Sequence, residues 1–107
     1  MTLDEAKKVL PGMSKNLERV QAIAEINAEY GRATMKFGPF SSEVQGLCII
    51  VEEIGELAAA VLQGKSNADV RTEAVQIGAM VLRFIVDCCG PHGTQAAAAT
   101  KGSAEHV

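Results

Sequence analysis

"EVQGLCIIVEEIGELAAAVLQGKSNADVRTEAVQIGAMVLRFI", residues 43–85, holds two helix-length segments joined by a short polar turn. Ser42 and Gln45 stand at capping-box spacing in front of it and predict a helix over about 43–63, closed by Gly64. "GKSNAD" has the composition of a turn. Ser66 or Asn67 can cap a second helix over about 68–89, which Gly90-Pro91 ends. So short a connection predicts an antiparallel hairpin. At roughly 100° per residue, Leu47, Ile50, Val51, Ile54, Leu57, Ala58 and Val61 cover one arc of the first helix. Val70, Ala74, Ile77, Val81, Phe84 and Cys88 form a matching stripe on the second. Both stripes are expected to be core.

The charge pattern does not suit a plain amphipathic helix. From Glu43 to Gly64 the chain carries four acids and no Lys or Arg. Glu52, Glu53 and Glu56 could form a solvated acidic face. Ile49, Ala59 and Ala60, however, lie on the same side, and no i+4 cation accompanies the acids. On the second helix Glu73, Gln76, Met80, Arg83 and Asp87 form a polar stripe at helical spacing. Glu53 and Glu56 precede the Gly64–Lys65 junction by about as many residues as Glu73 and Gln76 follow it. In a hairpin both pairs reach the same height, roughly 15 Å from the bend. Gly55 and Gly78 lie near that level and would let the two backbones approach. Carboxylates converging there repel unless a divalent cation sits among them, and all-oxygen ligation selects Mg²⁺ or Mn²⁺ over zinc.

"EEIGEL" followed by "EAVQ" is similar to the ExxE…ExxD signature of the MazG-like all-α nucleoside triphosphate pyrophosphohydrolases. "ERVQAIAEINAEYGRATMKFG", "VEEIGELAAAVL" and "RTEAVQIGAMVLRFI" resemble that family's small phage-type branch, over about residues 18–87. The resemblance implies a helical bundle completed by oligomerisation. It also implies Mg²⁺-dependent hydrolysis of a (deoxy)nucleoside triphosphate to the monophosphate and pyrophosphate, with a lean towards dATP or dGTP. By position, Glu53, Glu56 and Glu73 match the metal ligands, and Gln76 stands where the pattern has Asp. Gln76 is then a fourth ligand, a water-orienting amide or a spacer. Glu52 either replaces the missing charge, acts with Glu53 as a candidate catalytic base, or is merely exposed.

Arg32, Lys36, Phe37 and Phe40 fall in or beside "ATMKFGPFSS", residues 33–42, which reads as a loop and would have to form a lid. Lys36 could pair with phosphates and either Phe could stack on a base; a surface charge and a buried anchor are the plain readings. Arg83 either reaches a phosphate or pairs with Asp87 at i+4. Met35 and Met80 read as core. His92 and His106 read as bystanders, and without ExxH motifs a ferritin-like di-iron bundle is disfavoured.

The rest of the chain reads as helical too. Thr2 and Glu5 form a capping box opening a short helix that stops at Pro11-Gly12, and a longer helix is expected over about 14–31. The expectation is one all-α domain over 1–107, with its core in about 14–89 and a tail, 90–107, that is loose or a short helix. Apolar residues make up 48 % of the chain and aromatics only 4 %, so Ala, Val, Leu and Ile must fill the interior. Two and a half helices cover so much apolar surface poorly, which predicts a homodimer or a homotetramer. A net charge of −3 disfavours nucleic acid. An odd set of three cysteines, without CxxC, predicts reduced thiols. With no basic-then-apolar leader and no membrane-length apolar run, a cytoplasmic protein is expected, in the host cytoplasm if phage-encoded. The second functional class left open is a non-catalytic helical interaction or regulatory module on the same scaffold.

Overall fold

A computed structural model of the chain describes residues 2–9 and 11–91. The expected tail, with His92 and His106, lies almost wholly outside them. The described residues form an all-α fold: α1 (Leu3–Val9), α2 (Pro11–Phe37), α3 (Glu43–Leu62) and α4 (Asn67–Phe84), with a π-helical turn, Ile85–Cys89, continuing α4. Among them there is no strand, and no helix is long and apolar enough to cross a membrane.

Local chemistry sets most of these boundaries. The Glu5 amide donates to Thr2 Oγ1 at 3.2 Å, and the Thr2 amide to Glu5 Oε2 at 3.4 Å, completing the first capping box. Ser42 Oγ accepts from the Gln45 amide and Ser66 Oγ from the Asp69 amide, each at 3.1 Å. The Gln45 side chain turns to Ser41 instead of Ser42, taking its amide at 2.6 Å and its hydroxyl at 2.9 Å. Gly64 adopts φ +67°, with Gly64 N–H bonded to the Val61 carbonyl and Lys65 N–H to that of Ala60. That Schellman closure turns the chain back within four residues, so α3 and α4 pack antiparallel as expected.

Two boundaries differ from the sequence reading. Pro11 begins a helix as well as ending one, because a residue without an N–H loses nothing in a first helical turn. Helix α2 also continues to Phe37, where Gly38 at φ +71° stops it. Arg32, Lys36 and Phe37 are therefore on a helix, not on a flexible lid.

Helix α4 packs against both α2 and α3. The core lies at that junction, around Ala33, Phe40, Ala79, Met80 and Cys88, with Ile26, Tyr30, Ile49, Ile50 and Phe84 against them. Met80 is core as expected, but Met35 is 90 % exposed. Arg71 ties α4 to α2 through both oxygens of Glu25, at 2.9 and 2.6 Å.

The expected core stripes are buried only in part, at Ile50, Phe84 and Cys88. Leu47, Val51, Ile54 and Val61 of α3 are each at least half exposed, and Val81 of α4 is exposed. Facing inward instead are Gly46, Ile49, Glu53 and Ala60 of α3 and Glu73, Gln76, Met80 and Arg83 of α4. The side bearing the acids is the side on which the helices meet. Gly46 permits part of this: a Cβ there would stand 2.7 Å from a Phe84 ring carbon and 3.0 Å from one of Phe40. Gly55 does not serve the same purpose, since it faces open space, and Gly78 admits Ile26 of α2 and not α3.

Candidate metal centre and its cavity

Glu53 and Glu56 leave α3 one turn apart, and Glu73 leaves α4 at the same height. One carboxylate oxygen from each lies within 4.8 Å of the other two. Glu53 and Glu73 are half-buried and Glu56 is exposed. Oε2 of Glu53 and Oε2 of Glu73 are shielded from solvent yet have no hydrogen-bond partner. No ion pair to any of the three occurs among the described residues.

The electrostatics follow from that crowding. Burial raises the Glu53 carboxyl above the ordinary value of 4.5, and the neighbouring charges of Glu56, Glu73 and Glu52 raise it further. Glu73 is raised first by burial, then by Glu56 and Asp69. Glu25 and Glu29, held by Arg71 and Arg32, move the other way. Two carboxyls that resist ionisation beside unpartnered buried oxygens fit a hard divalent cation.

A cavity of about 420 Å³ opens beside the acids, between α2, α3 and α4. Glu53 and Gln76 stand at its acidic end, and Phe37, Phe40, Met80 and Arg83 line the remainder. A second hollow of about 380 Å³ lies on the other flank, reaching Glu56, Glu73 and Lys65. The three carboxylates therefore sit between two spaces, one partly aromatic and one polar.

The remaining sequence candidates divide. Gln76, Arg32, Phe37 and Arg83 line the larger cavity. Arg32 is paired with Glu29, its Nε donating at 2.9 Å. Lys36 does not line the cavity; its ammonium lies 5.1 Å from the centre of the Phe37 ring. Glu52 is exposed and lines neither space. Arg83 and Asp87 do not pair with each other. Arg83 Nη2 donates to the Gly38 carbonyl at 2.7 Å, and Asp87 Oδ2 accepts the Phe40 amide at 2.9 Å. Gln45 and Glu29 also line the cavity, which no spacing in the sequence signals. Gln45 reads as part of a capping box, and Glu29 lies in mid-helix without a flanking motif. Compared with protein-family models, curated proteins and solved structures, the chain matches none.

Proposed function

We propose that the chain is a Mg²⁺-dependent (or Mn²⁺-dependent) nucleoside triphosphate pyrophosphohydrolase of MazG-like type. The observation that carries this reading is the trio Glu53, Glu56 and Glu73, with two solvent-shielded oxygens unpartnered, at the head of a nucleoside-sized cavity. The ExxE…ExxQ spacing and the similarity over residues 18–87 support the same reading. A divalent cation bound there supplies charge neutralisation of a triphosphate and a lowered pKa for water. Glu53, Glu56 and Glu73 hold that position, and the Gln76 amide can orient a water or complete the set.

Glu53 reaches both the trio and the cavity, which makes it a better placed base than the exposed Glu52. It accepts the proton as water oxygen bonds to the α-phosphorus. The bond from that phosphorus to the α–β bridging oxygen breaks, and pyrophosphate leaves with the electron pair. Rigid helices on three sides contribute position more than covalent chemistry.

The proposed assembly is a homodimer or homotetramer. Val44, Leu47, Val51, Ile54 and Val61 make an exposed seam on α3 at alternating three- and four-residue steps, completed by Ala58. That spacing matches the seam by which one helix packs on another. Pyrophosphate release from a panel of nucleoside triphosphates with Mg²⁺, beside the Glu56→Gln variant, tests the activity. Monophosphate and pyrophosphate from the wild type alone are expected. A folded, dimeric wild type that cleaves none of the panel would reject the reading.

A further inference from the structure

Arg83 is only 3 % exposed, yet among the described residues no carboxylate pairs with it. Its Cζ lies 4.2 Å from the centre of the Phe40 ring. Of five N–H donors, one reaches the Gly38 carbonyl and one the weakly accepting sulfur of Met80, at 3.3 Å. Nε is shielded from solvent and has no partner. A buried guanidinium with an unsatisfied donor favours any acceptor that reaches it. The residue lines the cavity described above, and a ligand there can bring one.

The position of Arg83 identifies which part of a ligand that is. It follows Gln76 by seven residues on the same helix, but its guanidinium is drawn back to the Met80 sulfur, four residues or roughly 6 Å along the axis from Gln76. A triphosphate chain could span that distance, but it would leave the apolar walls of this end uncovered, whereas the base of the same nucleotide would cover them. Phe40 and Phe37 give this end flat apolar walls. Gln45 also lines it, with its carbonyl oxygen already taken by Ser41, so its amide N–H groups remain as donors. The polar groups at this end therefore donate.

We infer that this cavity holds the nucleobase and that Arg83, assisted by Gln45, selects bases presenting a carbonyl oxygen (guanine, hypoxanthine, uracil, thymine) over adenine and cytosine. Arginine matches the O6 and N7 acceptors of guanine, and a single O4 serves for the pyrimidines. An exocyclic amine in the same place would set donor against donor and leave Arg83 unpaired. Sites built to bond a polar group discriminate strongly against ligands that lack it. The inference rests on the reading of the acids as the phosphate end.

The experiment measures equilibrium binding by calorimetry with Ca²⁺ in place of Mg²⁺, and turnover with Mg²⁺, for dGTP, dITP, dTTP, dUTP, dATP and dCTP. At least about tenfold tighter binding of the four carbonyl bases is expected, since one unpaired buried donor suffices for that. Purine against pyrimidine arms then separate the two sources of a carbonyl edge. Arg83→Met, similar in length and uncharged, should reduce the preference to about threefold or less. Gln45→Leu, at an exposed position, should weaken it and serves if Arg83→Met does not fold. Equal binding of amino and carbonyl bases, no binding at all, or a preference untouched by either variant would overturn the inference. Selective binding without turnover would instead reject the hydrolase reading and leave the base assignment standing.

Discussion

Replacing Glu56 with Gln should stabilise the metal-free protein and destabilise it relative to wild type once Mg²⁺ is present. Three carboxylates within 4.8 Å of one another make three repulsive pairs, and Glu56 takes part in two of them. At 4.8 Å a pair of unit charges is worth about 0.9 kcal/mol in water and about 3.5 kcal/mol at an effective dielectric constant of 20. Glu56 is exposed, so the lower figure applies and ordinary salt reduces it further. Removing two pairs is then worth about 1–2 kcal/mol, or about 5–10 °C in melting temperature for a chain of this size. With Mg²⁺ at a hundred times its Kd, the wild type gains about 2.7 kcal/mol by mass action, and a variant without the site gains none of it. The order of stability therefore reverses. Differential scanning fluorimetry in EDTA and in graded Mg²⁺, at low ionic strength and fixed protein concentration, reads both arms. A variant less stable in EDTA, or an equal Mg²⁺ response in both proteins, would refute the cation-site argument.

The pH dependence has a definite sign. Glu53 and Glu73 have folded pKa values above 4.5, so the stability tied to their protonated forms is complete below 4.5 and is lost as pH rises through the raised values. Glu25 and Glu29 act in the lower window, losing their contribution as pH falls through their depressed values. In EDTA the midpoint of urea unfolding should rise from pH 7.5 to 5, and Mg²⁺ should flatten that trend; a fall in EDTA would refute it. Gly46→Ala should cost about 1–3 kcal/mol by overpacking two rings, while Gly78→Ala should cost less, because the atom it meets at 2.8 Å is the movable end of Ile26. Chemical denaturation of both variants checks the order. Light scattering should give a multiple of 11.3 kDa, and Ile54→Glu on the exposed α3 seam should give the monomer.

The elements were legible where local chemistry decides them. Thr2 with Glu5, Ser42, Ser66 and Gly64 each act through neighbours within five residues, and each does what its spacing predicts. The meeting of Glu53, Glu56 and Glu73 was legible too, because the length of a hairpin arm fixes height. A helical wheel, however, gives angles and not neighbours. It assigned Leu47, Val51 and Ile54 to the core by hydropathy, although α4 packs on the opposite side. Gly55 was misread for the same reason. The Gly38 carbonyl that Arg83 meets and the Phe40 amide that Asp87 meets are 45 and 47 residues away, beyond the reach of any periodicity.

Helix α3 is inverted relative to an ordinary surface helix, and that inversion has an energetic consequence. Its inner face carries Glu53, half-buried and repelled by Glu56 and Glu73. Its outer face exposes aliphatic side chains that gain nothing from water. Turning the helix by half a revolution would relieve both and remove the site. The chain alone therefore holds α3 in this orientation against two penalties, using a core centred on Ala33, Phe40, Ala79, Met80 and Cys88. On the proposed reading each penalty has its own external remedy, a cation for the inner face and a second copy for the outer. Both bind the folded chain and not the unfolded one, so each adds to stability by mass action. Metal binding and assembly are then linked even without direct contact, because each favours the same orientation of one helix.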